Sequence, residues 1–131
     1  MLQVGDIVRF NYFWARENDA GEESGRKARP VCVIVRTSAV PAALFLLPLT
    51  SRLPTKTRAA LAVPEIECKR GGLRSPCWII CDEYNRVTMD LAHDFESLDA
   101  VGTFSASFLK QIASSLKREA IAKRAKIVVR R

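Results

Sequence analysis

The chain has 131 residues, of which 48% are hydrophobic and 27% are charged. That length suits one domain, 1–131, and that balance is typical of a compact globular protein rather than a disordered one. The longest apolar run, 39–49, contains Pro41 and Pro48 and falls far short of the ~20 residues that a transmembrane helix needs. The opening MLQVGD lacks the basic and apolar regions of a secretory signal, so we expect a cytoplasmic protein without a membrane span.

The formal net charge of +7 is carried by one end of the chain. Residues 110–131 hold eight basic side chains and one acid, whereas the first 109 residues hold thirteen of each sign. We therefore expect a basic C-terminal extension from about Lys123. Two interpretations of it stay open, which are attraction to a polyanion and solubility of a C-terminal helix.

Four cysteines and a single histidine, His93, raise the question of a metal site. The cysteines are Cys32, Cys68, Cys77 and Cys81, which form no Cys-x-x-Cys pair, and His93 is remote in sequence from all of them. We therefore predict small buried thiols, and no metal or other cofactor.

Short strands separated by loops are predicted for the first two-thirds of the chain. β-Branched and aromatic residues favour strands at 4–13, 30–36, 43–50, 59–63 and 76–87. A long polar loop is predicted at 16–29, and paired glycines predict a turn at 69–72.

The final third of the chain changes period. Phe108, Ile112 and Leu116 recur at helical spacing, and Ser105 is a plausible N-cap, so a helix is predicted from about residue 105 into 123. Strands first and a helix last, without βαβ alternation, predict an α+β fold or a small barrel capped by a helix.

Two clusters of cations and hydroxyls adjoin predicted strands. Arg26, Lys27 and Arg29 precede the second strand, and Arg29 abuts it, where a fixed guanidinium can hold a phosphate through two hydrogen bonds. Thr50, Ser51 and Arg52 follow the third strand and offer short donors to phosphate oxygens. A solvated loop charge is the competing interpretation of the first cluster.

Asp82 and Glu83 end a buried apolar run, and paired carboxylates can divide acid and base roles. Because neighbouring strand residues face opposite ways, we expect at most one of them in a given site. Trp14, just before the long loop, is a candidate for stacking on a base.

Segments of the chain resemble, in order, the MazF/PemK (Kid-type) toxins of bacterial type II toxin–antitoxin systems. The similar segments are the Gly-Asp-Ile opening at 4–8, the Arg-Pro strand at 25–35, the Pro-Leu-Thr-Ser strand end at 47–51, the strand at 72–82 and the closing helix at 104–116. The resemblance implies a mainly β fold with α, a small SH3-like (CcdB/PemK-type) barrel with a C-terminal helix, and usually a homodimer. Trp78 and Phe108 are candidates for the dimer core.

The same resemblance implies a metal-independent endoribonuclease that cleaves single-stranded RNA through a 2′,3′-cyclic phosphate, neutralised by a cognate antitoxin protein. Arg29 matches the catalytic arginine, Thr50 the functional threonine, and Asp82 a carboxylate that acts as a base or orients the arginine. We expect the substrate-binding residues to be Ser51, Arg52, Arg26, Lys27 and Trp14.

Two of the departures from the resemblance bear on whether the chain is an enzyme. Ile80 stands where some of these toxins carry a catalytic arginine, and Glu83 stands where glutamine is usual. They keep an alternative function open, which is a non-catalytic or degenerate toxin-fold module that binds a protein target, as related toxins bind gyrase.

Overall fold

A computed structural model describes residues 2–19 and 27–130. Those residues form eight strands: β1 (Asp6–Asn11), β2 (Ala28–Arg36), β3 (Ala43–Thr50), β4 (Ala60–Ala62), β5 (Trp78–Ile80), β6 (Glu83–Thr88), β7 (Gly102–Thr103) and β8 (Lys126–Val129). They also form three α-helices: α1 (Ala15–Asp19), α2 (Glu65–Gly71) and α3 (Ala106–Ile121). A short 3₁₀ helix occupies Met89–Asp94.

The strands form one curled sheet with the shape of a half-barrel. Its order is β4-β5-β3-β2-β1-β7, while β6 pairs with β3 and carries β8 on its other edge. The pairs are antiparallel apart from β6 with β8. This confirms the prediction of a mainly β fold with a C-terminal helix.

Both faces of the sheet are buried. Successive residues of a strand point to opposite sides, and each side packs into a core of its own. On one face Ile7 and Leu47 pack with Phe108 of α3, while Val8 and Leu46 pack on the other. Phe108 is only 2% exposed. The expectation that Phe108 supplies a dimer core is therefore wrong, because its own chain already covers it.

The helix α3 begins where the sequence predicts. The Ser105 hydroxyl accepts a hydrogen bond from the Phe108 amide at 3.3 Å, so Ser105 is the N-cap. No helix in the described part of the chain is long and apolar enough to cross a membrane.

The strand predicted at 76–87 is divided in two. Its first part, β5, pairs Ile79 with Leu49, and its second part, β6, pairs Asn85 with Leu46 on the same edge of β3. The register against β3 shifts between these pairs, and Asp82 lies at the break. Asp82 therefore lies between β5 and β6, outside the pairs that these strands form with β3.

The turn predicted at 69–72 is the end of a helix. α2 runs over Glu65–Gly71 and is capped by Gly72, which has a left-handed φ of 68°. A side chain is excluded there, because a Cβ atom on Gly72 would lie 2.8 Å from the Val101 carbonyl oxygen. The paired glycines therefore mark a helix C-terminus rather than an isolated turn.

The segment expected as a basic extension adds a strand to the sheet. β8 pairs in parallel with β6, from Glu83 with Lys126 to Arg86 with Val129. The next residue, Arg130, is 5% exposed and donates a hydrogen bond to Asp94 at 2.6 Å. Most of the segment beyond Lys123 is therefore part of the fold.

All four cysteines are free and buried in the core between the sheet and α3, as predicted. Among the described residues, no three His, Cys, Asp or Glu side chains are grouped closely enough to hold a metal ion.

Candidate functional site

An arginine-rich cleft of about 970 Å³ opens where β2, β3 and β5 end. Among the described residues, six arginines line it: Arg9, Arg16, Arg29, Arg52, Arg58 and Arg74. The described lining residues include no aspartate or glutamate. We call this surface the arginine cleft. Its charge suits a polyanion, because a concave wall of one sign concentrates the opposite charge.

Strand pairing brings the two principal candidates to this cleft. β2 and β3 are antiparallel, with Val31 opposite Pro48. The same register, continued to the strand ends, brings Arg29 opposite Thr50. Both residues line the cleft, so the pairing accounts for the meeting of two residues 21 positions apart in the sequence.

The end of β3 supplies hydroxyl groups to the same wall. Thr50, Ser51 and Arg52 all line the cleft. The Thr50 hydroxyl oxygen accepts a hydrogen bond from the Arg52 amide at 3.1 Å. A hydroxyl that accepts through its oxygen keeps its own proton to donate, so Thr50 is positioned to donate to an anion.

Trp14 is buried beneath two of the cleft arginines. Its ring is 5% exposed, with the guanidinium carbons of Arg16 and Arg29 at 4.8 and 5.2 Å from the ring centroid. These are distances typical of cation–π contacts. Trp14 therefore has no exposed face on which a base could stack. It supports the Arg29 guanidinium instead.

Arg29 has an incomplete set of polar contacts. Its Nε atom, like Nε1 of Trp14, is buried without a hydrogen-bond partner among the described residues. Burial lowers the pKa of Arg29, assisted by the neighbouring charges of Arg16 and Arg52 and opposed by Glu17. Burial without a carboxylate partner is costly for a cation, and an incoming anion would offset that cost.

Asp82 lies beside the arginine cleft and is paired with Arg58. Both Asp82 carboxylate oxygens accept from Arg58, at 2.6 to 3.1 Å, and the Ala59 amide adds a bond at 3.1 Å. Asp82 lines an adjacent cavity of about 230 Å³, which shares Arg16 and Arg58 with the cleft. Asp82, the third catalytic candidate, therefore does not line the arginine cleft itself but contacts Arg58, which does.

Glu83 binds the same guanidinium. Its Oε1 accepts from Arg58 Nη2 at 2.8 Å, and its Oε2 accepts from the Tyr12 hydroxyl at 3.1 Å and the Ala15 amide at 2.8 Å. The expectation that at most one of Asp82 and Glu83 enters a given site is therefore wrong, because Asp82 precedes β6 at the register break and is not in regular strand geometry. Glu83 is buried and fully partnered, so it is not an exposed negative charge in the cleft.

One further candidate lies apart from this group. Lys27 is described and exposed but does not line the cleft. Arg26 lies outside the described residues.

Sequence reasoning missed four of the cleft arginines: Arg9, Arg16, Arg58 and Arg74. A local signal existed for Arg9, which is the polar member of an apolar strand and hence points away from its neighbours Val8 and Phe10. Arg58 gave no such signal, because its relation to Asp82 depends on the pairing of β4 with β5. That pairing places Ala60 opposite Ile80, and Arg58, two residues before Ala60, bonds Asp82.

The chain was compared with models of known protein families and with curated proteins. No family model matches it. No curated protein shows significant sequence similarity to it.

Proposed function

We propose that this protein is the toxin of a type II toxin–antitoxin system and acts as a metal-independent endoribonuclease on single-stranded RNA, with an SH3-like barrel of the PemK/MazF type. The observation that carries the proposal is the arginine cleft, in which Arg29 and Thr50 meet without a lining carboxylate among the described residues. The order of the sequence segments that resemble MazF/PemK toxins supports the same reaction.

The proposed reaction is an internal transfer at phosphorus. The 2′-hydroxyl oxygen of one nucleotide attacks the adjacent phosphate, and the bond from phosphorus to the 5′ oxygen breaks. The 2′ proton passes to water, and the 5′ oxygen takes a proton from the Arg29 guanidinium, which water then reprotonates, so the products are a 2′,3′-cyclic phosphate and a 5′-hydroxyl. The enzyme must stabilise the negative charge that grows on the phosphoryl oxygens.

Arg29 and Thr50 meet that requirement in the proposed site. Arg29 stabilises the phosphoryl charge, and its lowered pKa makes it a better proton donor than an ordinary arginine. Thr50 donates its hydroxyl to the same group, with Ser51 beside it. Arg52 binds a neighbouring phosphate, which is a role proposed also for Lys27 and Arg26.

In the proposed site Asp82 orients Arg58, and not Arg29 as the resemblance implies, and it is not the base. A base that takes the 2′ proton needs a free oxygen lone pair in the cleft, whereas both Asp82 oxygens accept hydrogen bonds from Arg58. Trp14 supports Arg29 from below rather than stacking on a base.

The proposal also includes a homodimer, a cognate antitoxin and a cytoplasmic site of action. Support for an interface comes from apolar side chains that remain exposed on the outer strand, where Ile127 is 54% and Val129 is 48% exposed. Exposed apolar pairs of this kind are typical of surfaces that bind a partner.

RNA cleavage by the purified protein tests the proposal. Wild type is incubated with a long mixed-sequence single-stranded RNA in the presence of EDTA, and the cuts are mapped by primer extension. We expect discrete cuts that Arg29→Ala abolishes and Arg118→Ala leaves unchanged, because Arg118 is an exposed residue of α3 that does not line the cleft. Cuts that survive Arg29→Ala would contradict the site assignment.

One observation favours the alternative, a non-catalytic module that binds a protein target. Ile80 puts an apolar side chain in the cleft wall at the position where some similar toxins carry a catalytic arginine. The absence of cuts in a long and varied RNA, together with a stable protein partner other than an antitoxin in a pull-down, would favour this module over the enzyme.

A further inference from the structure

The guanidinium of Arg58 is fixed on one side by two carboxylates. Nε bonds both Asp82 oxygens at 3.1 and 3.0 Å, and Nη2 bonds Asp82 at 2.6 Å and Glu83 at 2.8 Å. These are charge-assisted bonds in the paired geometry that a planar guanidinium requires. Four contacts to two anchored carboxylates leave Arg58 little rotational freedom.

The third nitrogen of Arg58 has no such contact. Nη1 makes no hydrogen bond to any described residue, while Arg58 lines the arginine cleft. The Arg58 side chain is 29% exposed, against 14% for Asp82 and 4% for Glu83. The carboxylates are therefore the buried side of the pair, and the cation is the side that solvent or a ligand can reach.

The site keeps Arg58 charged. Hydrogen bonding to Asp82, stronger than the opposing effect of burial, raises the pKa of Arg58 above its usual value. The charge of the carboxylates is balanced within the adjacent small cavity, where four cations line the wall beside Asp82 and Glu83: Arg16, Arg58, Arg124 and Lys126. A phosphate in the arginine cleft would thus meet the guanidinium before it meets the carboxylates.

We propose that Arg58 is a second phosphate-binding residue, which directs Nη1 at the scissile phosphate opposite Arg29, and that Asp82 and Glu83 are its positioning residues. The inference rests on the proposed ribonuclease function. It also accounts for Ile80, which is apolar at the position where some similar toxins carry a catalytic arginine. Arg58 precedes β4, and β4 pairs with β5 at Ala60 and Ile80. The cation is therefore supplied by the segment before β4 instead of by β5.

The role assigned to Arg58 is electrostatic. No bond is made or broken at Arg58, and it gives up no proton because its pKa is raised. It contacts a phosphate that is charged when the RNA binds and gains further charge during the reaction, so its loss should weaken binding and also lower kcat.

Substitution of Arg58 by lysine provides the main test. An ammonium can still bind Asp82 and Glu83, so the fold should persist, but lysine has no third nitrogen to reach the cleft. We expect kcat for RNA cleavage to fall about 10²-fold, the usual cost of one lost donor to a developing oxyanion. Wild-type activity in Arg58→Lys would overturn the inference.

Chemical rescue separates a role at the phosphate from a structural role. Arg58→Ala leaves a space that a guanidinium ion can enter, so added guanidinium at non-denaturing concentration should restore part of its kcat. Sodium ion at the same ionic strength should not. If Arg58→Ala remains folded by circular dichroism and guanidinium restores nothing, the residue is structural and the inference fails.

A binding measurement keeps the inference separate from the proposed function. An all-deoxy oligonucleotide lacks the 2′-hydroxyl and cannot be cleaved, so its affinity reports phosphate contacts alone. If wild type does not cleave RNA, the proposed function fails, yet weaker binding by Arg58→Lys than by Arg118→Ala would still assign Arg58 to the phosphate. Equal binding and equal cleavage by those two variants would reject the inference while leaving the ribonuclease in place.

Discussion

The indole ring of Trp14 lies directly against Arg29, with the guanidinium carbon 5.2 Å from the ring centroid. Arg29 makes no ion pair with the described residues, and its Nε is buried without a partner. The ring is therefore the main contact that determines where this guanidinium points. It does for Arg29 what Asp82 and Glu83 do for Arg58.

Removal of that ring should misplace Arg29. Trp14→Leu keeps an apolar side chain but removes the cation–π contact, which is worth about 0.5–2 kcal/mol. We expect a fall of about tenfold in kcat with little change in KM, and Trp14→Phe should retain more activity. The steady-state rates of both variants on a short RNA provide the measurement. Equal activity in Trp14→Leu and wild type would show that Arg29 is held by other contacts.

Binding of nucleic acid by the arginine cleft should depend steeply on salt. Each phosphate neutralised on a single strand contributes about 0.7 to the slope of log Kobs against log salt concentration. Arg29→Ala and Arg52→Ala should each lower that slope by about 0.7, because each is assigned one phosphate. Fluorescence anisotropy of an all-deoxy oligonucleotide over a range of KCl concentrations measures the slope. A slope unchanged in both variants, or lowered equally in Arg118→Ala, would place the nucleic acid elsewhere.

The long strands and the long helix of this fold could be predicted from the sequence pattern. β2 and β3 are dense in β-branched and apolar residues, and α3 has a helical stripe with a serine cap, so local pattern and final structure agree. α2 escaped detection because it has seven residues and its only strong signal, Gly72, is shared by helix ends and turns. β8 escaped because its flanking cations resemble those of a solvated tail.

The candidate site was predictable only in part, for a related reason. Arg29, Thr50, Ser51 and Arg52 adjoin long strands, whose ends a sequence pattern locates. Arg58 lies in a polar loop, and its partner Asp82 occupies a break in register between β5 and β6. Register breaks depend on how two strands share one edge of β3, which is a tertiary property without a local signature.

Arg130 should be essential to the stability of the fold. Its guanidinium pairs with Asp94 at 2.6 Å, lies over the rings of Phe10 and Phe13 and has a side chain that is only 4% exposed. Arg130→Ala leaves Asp94 buried without that partner, which typically costs about 3–5 kcal/mol. Urea unfolding measures the change in the free energy of unfolding.

An exposed ion pair nearby serves as the control for Arg130. Arg9 pairs with Glu96 at 3.3 Å with both side chains exposed, at 43% and 56%, so Glu96→Ala should change stability little. Similar losses in the two variants would show that burial of Arg130 is not what stabilises the C-terminal strand.

The buried thiols should make stability fall at alkaline pH. Burial raises the pKa of both Cys77 and Cys81 to about 11, from a usual value of 9.0. The unfolded chain ionises these thiols first, so their contribution is complete below about pH 9 and is lost as the pH rises towards 11. Urea unfolding at about pH 8 and about pH 10.5 should show the loss.

The double variant Cys77→Ala/Cys81→Ala controls for other groups that titrate in that interval. It should lose less stability than wild type between the two pH values, because the other groups with a raised pKa, which are Cys32, Cys68, Tyr12 and Tyr84, are common to both proteins. An equal loss would assign the alkaline effect to those other groups.

The chemistry of the cut ends tests the central claim most directly. A short single-stranded RNA digested by wild type in EDTA is analysed by mass spectrometry and by phosphorus NMR. The account predicts a 2′,3′-cyclic phosphate on one fragment and a 5′-hydroxyl on the other, because the 2′ oxygen is the nucleophile. Fragments that carry a 3′-hydroxyl and a 5′-phosphate would contradict it, since they require water to attack in place of the 2′-hydroxyl.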